Sequence, residues 1–150
     1  MQRTLVLLKP DAVQRRLVGT ILARFEDKGL RLVALKLVAP SREMAEKHYA
    51  VHRGQPFYES LLAFVTSGPI VAAVIEGREA VAAVRNMMGP TDGSKAAPGT
   101  IRGDFGLSKQ NNLIHGSDEP ENAATEIALW FGAEELVEYE PVDATWIGNR

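Results

Sequence analysis

The amino-acid sequence predicts an α/β chain, an α+β sandwich built on one four-stranded antiparallel sheet, on three observations. Three short apolar runs, over residues 4–8, 30–39 and 70–75, stand far apart, and proline or glycine follows each within two residues. Between them apolar residues recur at helical spacing. A fourth apolar pair, Leu113-Ile114, ends a long stretch without periodicity and precedes another helical pattern. Strands that must be buried, interleaved with amphipathic helices, call for a sheet covered by helices.

Thr4-Leu5-Val6-Leu7-Leu8 reads as a buried strand ended by Pro10. Leu17, Ile21, Leu22 and Phe25 then mark a helix stopped by Gly29, and Leu30 to Ala39 forms a second strand ended by Pro40. Ser41 is placed to cap a helix through Met44, Ala45, His48 and Tyr49. After a break at residues 53–56, Phe57, Leu61 and Phe64 share a helical face up to Gly68-Pro69. Ile70 to Ile75 is the third strand, and residues 78–88 put Val81, Val84 and Met88 on one helical face before Gly89-Pro90. Residues 89–116 lack periodicity, which inside a compact domain usually marks a functional segment. Asp118, with Pro120 and Glu121 behind it, is predicted to start a capping-box-like helix carrying Ala123, Ile127, Trp130 and Phe131. The tail holds Tyr139, Pro141, Trp146 and Ile147, large side chains that need burial. The order is that of a split βαβ, a ferredoxin-like βαββαβ sheet with added helices and a C-terminal tail.

The 150 residues suit a single domain spanning 1–150. Absence of cysteine excludes disulfides, thiolate zinc sites and a cysteine nucleophile. A formal charge of −2 and a pI near 5.9 argue against general attraction to nucleic acid, so anions must be met by a few local cations. No run approaches the roughly 20 apolar residues that span a bilayer. The first apolar run is also too short for a signal sequence. The expectation is a cytoplasmic protein without a membrane partner.

The segment from Asn112 to Asp118 carries the most chemistry. His115 leaves a short strand just before a helix, and Gly116 is expected to let the chain turn and a ligand approach. Ser117 and Glu126 are placed to hydrogen-bond the ring or an incoming phosphate and to set its tautomer. Lys9, Arg85 and Arg102 supply the cations that phosphoryl transfer requires. Taken one at a time, these residues read as a half-buried strand-end histidine and solvated surface cations. No P-loop glycines precede Lys9. Asp104-Phe105-Gly106 lacks the other protein-kinase motifs and is coincidental. A phosphoryl-transfer enzyme of this kind would depend on a nucleophilic histidine. His48 and His52 have the spacing of a zinc pair, but Tyr49 rather than glutamate follows His48 and no thiolate completes a site.

Three motifs in order, Thr4 to Asp11, Pro98 to Phe105 and Asn112 to Asp118, make the chain resemble the nucleoside diphosphate kinase family from end to end. The resemblance implies a ping-pong exchange in which His115 takes the γ-phosphoryl group of a nucleoside triphosphate and passes it to a nucleoside diphosphate. It implies that Lys9, Tyr49, Arg85, Thr91, Arg102 and Asn112 bind phosphates and ribose, with Lys9 and Asn112 reaching the 3′-hydroxyl. Phe57 corresponds to the aromatic that stacks on the base, and Ser117 and Glu126 to residues that orient the histidine. Mg2+ would arrive on the nucleotide phosphates rather than in a protein cage. Stacking, sugar and phosphate contacts read no base edge, so broad base tolerance follows.

Two positions depart from the family's pattern. Lys109 stands where an apolar residue usually faces the base, and its aliphatic stem would have to cover it. In the loop after Arg85, Pro90 and Gly93 replace the usual alanine and proline, and Gly93 implies a more flexible loop. The resemblance also implies a homo-oligomer, with the long tail favouring a hexamer over a tetramer. Two other classes are weighed beside it, a ferredoxin-like binding module and a histidine phosphocarrier. The aliphatic strands and acidic charge disfavour RNA binding, and a phosphocarrier would not require Phe57 or the ribose contacts.

Overall fold

Why two of the apolar runs are unbroken is answered by where they lie in the sheet. In the computed structural model, which describes residues 1–148, the strands β1 (Gln2–Leu8), β2 (Arg31–Val38), β3 (Ile70–Gly77) and β4 (Ile114–Gly116) form one sheet in the order β2-β3-β1-β4. The last two residues of the expected 1–150 span lie outside the described residues. β3 is antiparallel to both β1 and β2, and β4 is antiparallel to β1. β1 and β2 therefore run in the same direction with β3 between them, the split βαβ arrangement predicted.

β1 and β3 are central and covered on both faces, so every second residue cannot be polar. Leu5, Leu7, Ala72 and Val74 pack on one face with α3 (Arg42–His48), α4 (Tyr58–Val65) and α7 (Pro120–Trp130), through Ala45, Leu62, Ile127 and Trp130. Val6, Leu8, Val71 and Ala73 pack on the other with α2 (Val18–Asp27) and α5 (Ala80–Met88), through Ile21, Phe25, Val84 and Met88. Each such large side chain contributes about 1.5–3 kcal/mol by leaving water. β2 is an edge strand with a register shift between Leu32 and Ala34, and Leu35 and Leu37 face outward.

Several local expectations are refined. The first helical segment is two helices, α1 (Pro10–Gln14) and α2, and Gly29 ends the second with a φ of +93°. Ser41 caps α3 as expected, its Oγ accepting from the Met44 N–H at 3.1 Å. Asp118 does not cap α7. Pro120 sits at the first helical position, where its missing N–H costs nothing, so the cap position falls on Glu119. Asp118 instead accepts from Asn122 Nδ2 at 2.8 Å.

The aperiodic stretch is ordered. It contains a 3-10 turn at Gly93–Lys95 and a short helix, α6 (Ile101–Phe105), capped by Thr100 Oγ1 through the Gly103 N–H at 2.9 Å. Gly93 is required by close packing of this loop, because a Cβ there would lie 2.6 Å from the Gly106 carbonyl group. Trp146 belongs to a final helix, α8 (Ala144–Ile147), but only Ala144 turns inward, and Trp146 is 90% exposed rather than buried. Among the described residues no helix is long and apolar enough to cross a membrane.

Candidate active site

The register of β4 decides which way the candidate nucleophile faces. His115 lies opposite Leu7, and paired residues on neighbouring strands share a face, so its ring joins the layer formed by α3 and α7. Ile114 and Gly116 then point to the opposite layer. Gly116 answers that side: a Cβ there would lie 2.5 Å from Met88 Sδ and 3.2 Å from Val84 Cγ1. The glycine expected to serve a turn or a ligand instead allows β4 to approach α5.

Strain is concentrated just before the histidine. Leu113 is fully buried with a φ of +72°, and the Ile114 N–H donates to the Asn112 carbonyl at 2.8 Å, closing a γ-turn. A branched residue holds such a conformation only where its surroundings impose it. Here the Leu113 N–H donates to Asp11 Oδ2 at 3.1 Å, and its carbonyl accepts from the Lys9 N–H at 2.8 Å. Burial raises the Asp11 pKa above the ordinary carboxyl value, opposed by that Leu113 N–H. Asp11 is a supporting residue that the motif contains but pattern reading did not single out.

His115 and Glu126 form the central contact. Glu126, two turns into α7, places Oε2 at 2.7 Å from His115 Nε2, with the two side chains 17% and 22% exposed. Ionised, the carboxylate only accepts, so the Nε2 of a neutral ring carries the proton and Nδ1 keeps its lone pair. Ser117 is elsewhere. It is fully buried, and its Oγ accepts from the Leu5 N–H at 3.2 Å, tying β4 to β1.

The cations are organised around backbone. Lys9, at the end of β1, donates from Nζ to Asn112 Oδ1 at 2.8 Å, and Asn112 Nδ2 donates to the carbonyls of Thr91 and Lys109. Arg102, on α6, donates to the carbonyls of Asn112, Gly89 and Ile114 at 3.1, 3.1 and 2.5 Å. A guanidinium has five N–H donors, so two remain for a ligand. Arg85 reaches from α5 to the Gly116 carbonyl at 3.2 Å. Burial, then the neighbouring charge of Arg102, pushes the Lys9 ammonium down to about 8. Burial followed by Arg85 lowers Arg102 to about 10, so it stays charged at neutral pH.

These groups line one cavity of about 530 Å3. Lys9, Tyr49, Phe57, Arg85, Thr91, Arg102, Asn112 and His115 all contribute to its wall, whereas Ser117 and Glu126 stand behind it. Phe57 is 48% exposed at the start of α4, an unsatisfied position for so large an aromatic. The Tyr49 hydroxyl is buried and has no hydrogen-bond partner among the described residues, and burial raises its pKa. His52, Ser60, Leu61, Lys109 and Gln110 complete the wall. Nothing local in the sequence marks His52 or Ser60 as wall residues, because their places depend on how the turn after α3 folds back. His48 and His52 do not pair as metal ligands: His48 Nδ1 accepts from Trp130 Nε1, while the His52 ring lies against Tyr49 and Phe57.

Residues 2–136 match the nucleoside diphosphate kinase family. The chain belongs to that family. It is 58% identical to the nucleoside diphosphate kinase of Carboxydothermus hydrogenoformans over 147 residues, covering 98% of this chain and 99% of that one. The nucleoside diphosphate kinase of Thermomicrobium roseum is similar to the same degree over the same coverage. Among solved structures, a halophilic nucleoside diphosphate kinase from Halobacterium salinarum in complex with CDP superposes with a TM-score of 0.95 at 47% identity, covering 97% of each chain. With these nucleoside diphosphate kinases the chain shares the ferredoxin-like sheet, so the predicted fold and family both hold.

Proposed function

We propose that this chain is a nucleoside diphosphate kinase that moves the γ-phosphoryl group of a nucleoside triphosphate to a nucleoside diphosphate through phospho-His115. The observation that carries the reading is the 2.7 Å contact of Glu126 Oε2 with His115 Nε2, which leaves Nδ1 as the lone pair in a cavity walled by Lys9, Arg85 and Arg102. Nδ1 attacks the γ-phosphorus, the bond from phosphorus to the bridging oxygen breaks, and its electron pair leaves on the diphosphate. A second diphosphate reverses the step. The transition state spreads charge over the equatorial oxygens, and fixed cations answer it there.

The residue roles rest on the family resemblance, supported by the shared cavity. Lys9, Arg85, Arg102, Thr91 and the Tyr49 hydroxyl hold phosphates, Asn112 and Lys9 take the ribose, and Phe57 stacks on the base. Ser117 keeps β4 in register. Among the described residues the cavity wall contains no carboxylate, a donor set that suits Mg2+ already bound to nucleotide phosphates, where it would neutralise charge, rather than a bare ion. Stacking without base-edge readers supports broad base tolerance. The outward Leu35, Leu37 and Trp146 support a homo-oligomer, with a hexamer expected in a native mass measurement. A cytoplasmic location is consistent with this substrate.

The direct test is incubation with γ-labelled ATP, isolation of the protein, and a chase with GDP or CDP. An acid-labile, base-stable phosphoprotein whose label moves to the added diphosphate is expected. Absence of label on the isolated protein would overturn the mechanism. Phe57→Ala should weaken nucleotide binding about 10- to 100-fold, the worth of one base stack. The phosphohistidine formed at saturating nucleotide should change little. Unaltered affinity would remove the stacking role.

Nucleotide affinity should also depend on pH through Lys9. Its pKa of about 8 in the free protein must rise when a polyanion binds, so binding takes up a proton above pH 8. Affinity is then full below about 8 and falls by up to about tenfold per pH unit above it. Calorimetry in buffers of different ionisation enthalpy measures the proton directly, and Lys9→Met should abolish the uptake.

A further inference from the structure

His48 takes no part in the transfer, yet its side chain is shut from solvent beside the nucleophile, 1% exposed. Its ring lies edge-on to those of His115 and Tyr49, with centroids 4.6 Å away in both cases. Trp130 Nε1 is 3.0 Å from His48 Nδ1. An indole N–H only donates, so Nδ1 is an acceptor and the proton of the neutral ring is on Nε2. The Glu126 oxygen that lies 2.7 Å from His115 Nε2 is also 3.9 Å from His48 Nδ1. A proton on that nitrogen would make His48 a second donor to the one carboxylate that orients the nucleophile.

We propose that Trp130 and His48 are paired positioning residues: the indole N–H occupies His48 Nδ1 and so reserves Glu126 for His115. The inference rests on the reading of Glu126 as the group that orients the nucleophile. The groups facing His48 are Glu126 and Trp130 from α7, His115 from β4, Lys9 from the end of β1, Tyr49 at the end of α3, and His52 in the turn beyond. Burial first, then the charges of His115, Lys9 and His52, lower its pKa to about 2, in keeping with a ring that stays neutral. Without the indole N–H, His48 can move its proton to Nδ1 while staying neutral. That tautomer gives Glu126 a competing donor.

Trp130→Phe keeps the aromatic bulk and removes the N–H. Single-turnover phosphorylation of His115 by Mg-ATP, followed from about pH 5 to 9, should slow about 3- to 10-fold near neutrality, the value of one redirected hydrogen bond. Nucleotide affinity should be unchanged, so the loss falls on the rate alone. Adding His48→Phe removes the competing donor and should return the rate toward wild type. A Trp130→Phe profile that overlays wild type overturns the proposal. So does a slowed variant that the second replacement fails to rescue, since that result means packing alone. Nitrogen-15 NMR of the wild-type imidazoles tests the same point without substitution. It should show His48 protonated on Nε2, and a proton on Nδ1 refutes the pairing. Wild-type phosphohistidine formation is scored separately, so failure of the function and failure of this pairing give different results.

Discussion

The His115→Ala protein is expected to form no phosphoenzyme and to lose nucleotide exchange by at least about four orders of magnitude, as removal of a covalent nucleophile does. No other described group in the cavity has a lone pair held free by a carboxylate on the far side of its own ring. The fold should survive the change. His115 is 22% exposed, and the Glu126 carboxylate it leaves behind is 17% exposed, so water can take over the lost hydrogen bond. A stability loss of no more than about 1–2 kcal/mol follows. Circular dichroism with a urea titration, set beside the labelled-ATP assay, separates the two effects. Transfer at the wild-type rate would mean that another group carries the phosphoryl.

Arg102→Met is expected to damage both stability and activity. Arg102 is 4% exposed and satisfies three backbone carbonyls, those of Gly89, Asn112 and Ile114, which join the end of α5, the strained turn and β4. Methionine matches the length but offers no donors. Buried acceptors left unpaired cost about 1–3 kcal/mol each. Partial access for water reduces the sum, and a loss of about 3–5 kcal/mol is expected in urea unfolding. Exchange should fall by at least about a hundredfold, because a cation facing the transition state and the rigidity of the turn before His115 go together. Arg85→Met is the control. It gives up one carbonyl, that of Gly116, so its activity should fall while its unfolding midpoint moves little. If Arg102→Met were as stable as wild type, the guanidinium would be a ligand group only, not the brace these hydrogen bonds describe.

What could be read in advance and what could not divide along physical lines. The strands were legible because β1 and β3 are buried on both faces, a condition that leaves unbroken apolar runs at residues 4–8 and 70–75. Ser41 was legible as a cap because its hydrogen bond is local. Asp118 failed as a cap for an equally local reason: a proline two residues on moved the helix start by one position. The helix around Arg102 was invisible, since five residues bearing one arginine, one aspartate and a glycine show no period. Its stability comes instead from the Thr100 cap and from carbonyls contributed by distant segments. Gly116 suggested a turn from sequence, but its requirement is set by Met88 and Val84 of a helix roughly thirty residues earlier.

From the chain alone follow the strand and helix order, the ferredoxin-like architecture, the absence of thiol chemistry, and the residues that would meet a phosphate. These depend on periodicity, composition and short motifs, which act over a few residues. The fold alone decides that His115 faces α3 and α7 rather than α5, and that Glu126, not Ser117, holds its ring. It also decides that Arg102, expected to meet phosphate, braces the loop as well, and that His48 lies against the nucleophile. Each of these depends on strand register and helix packing between segments far apart in sequence. A shift of one residue in β4 would turn the histidine to the opposite layer while leaving every local pattern unchanged.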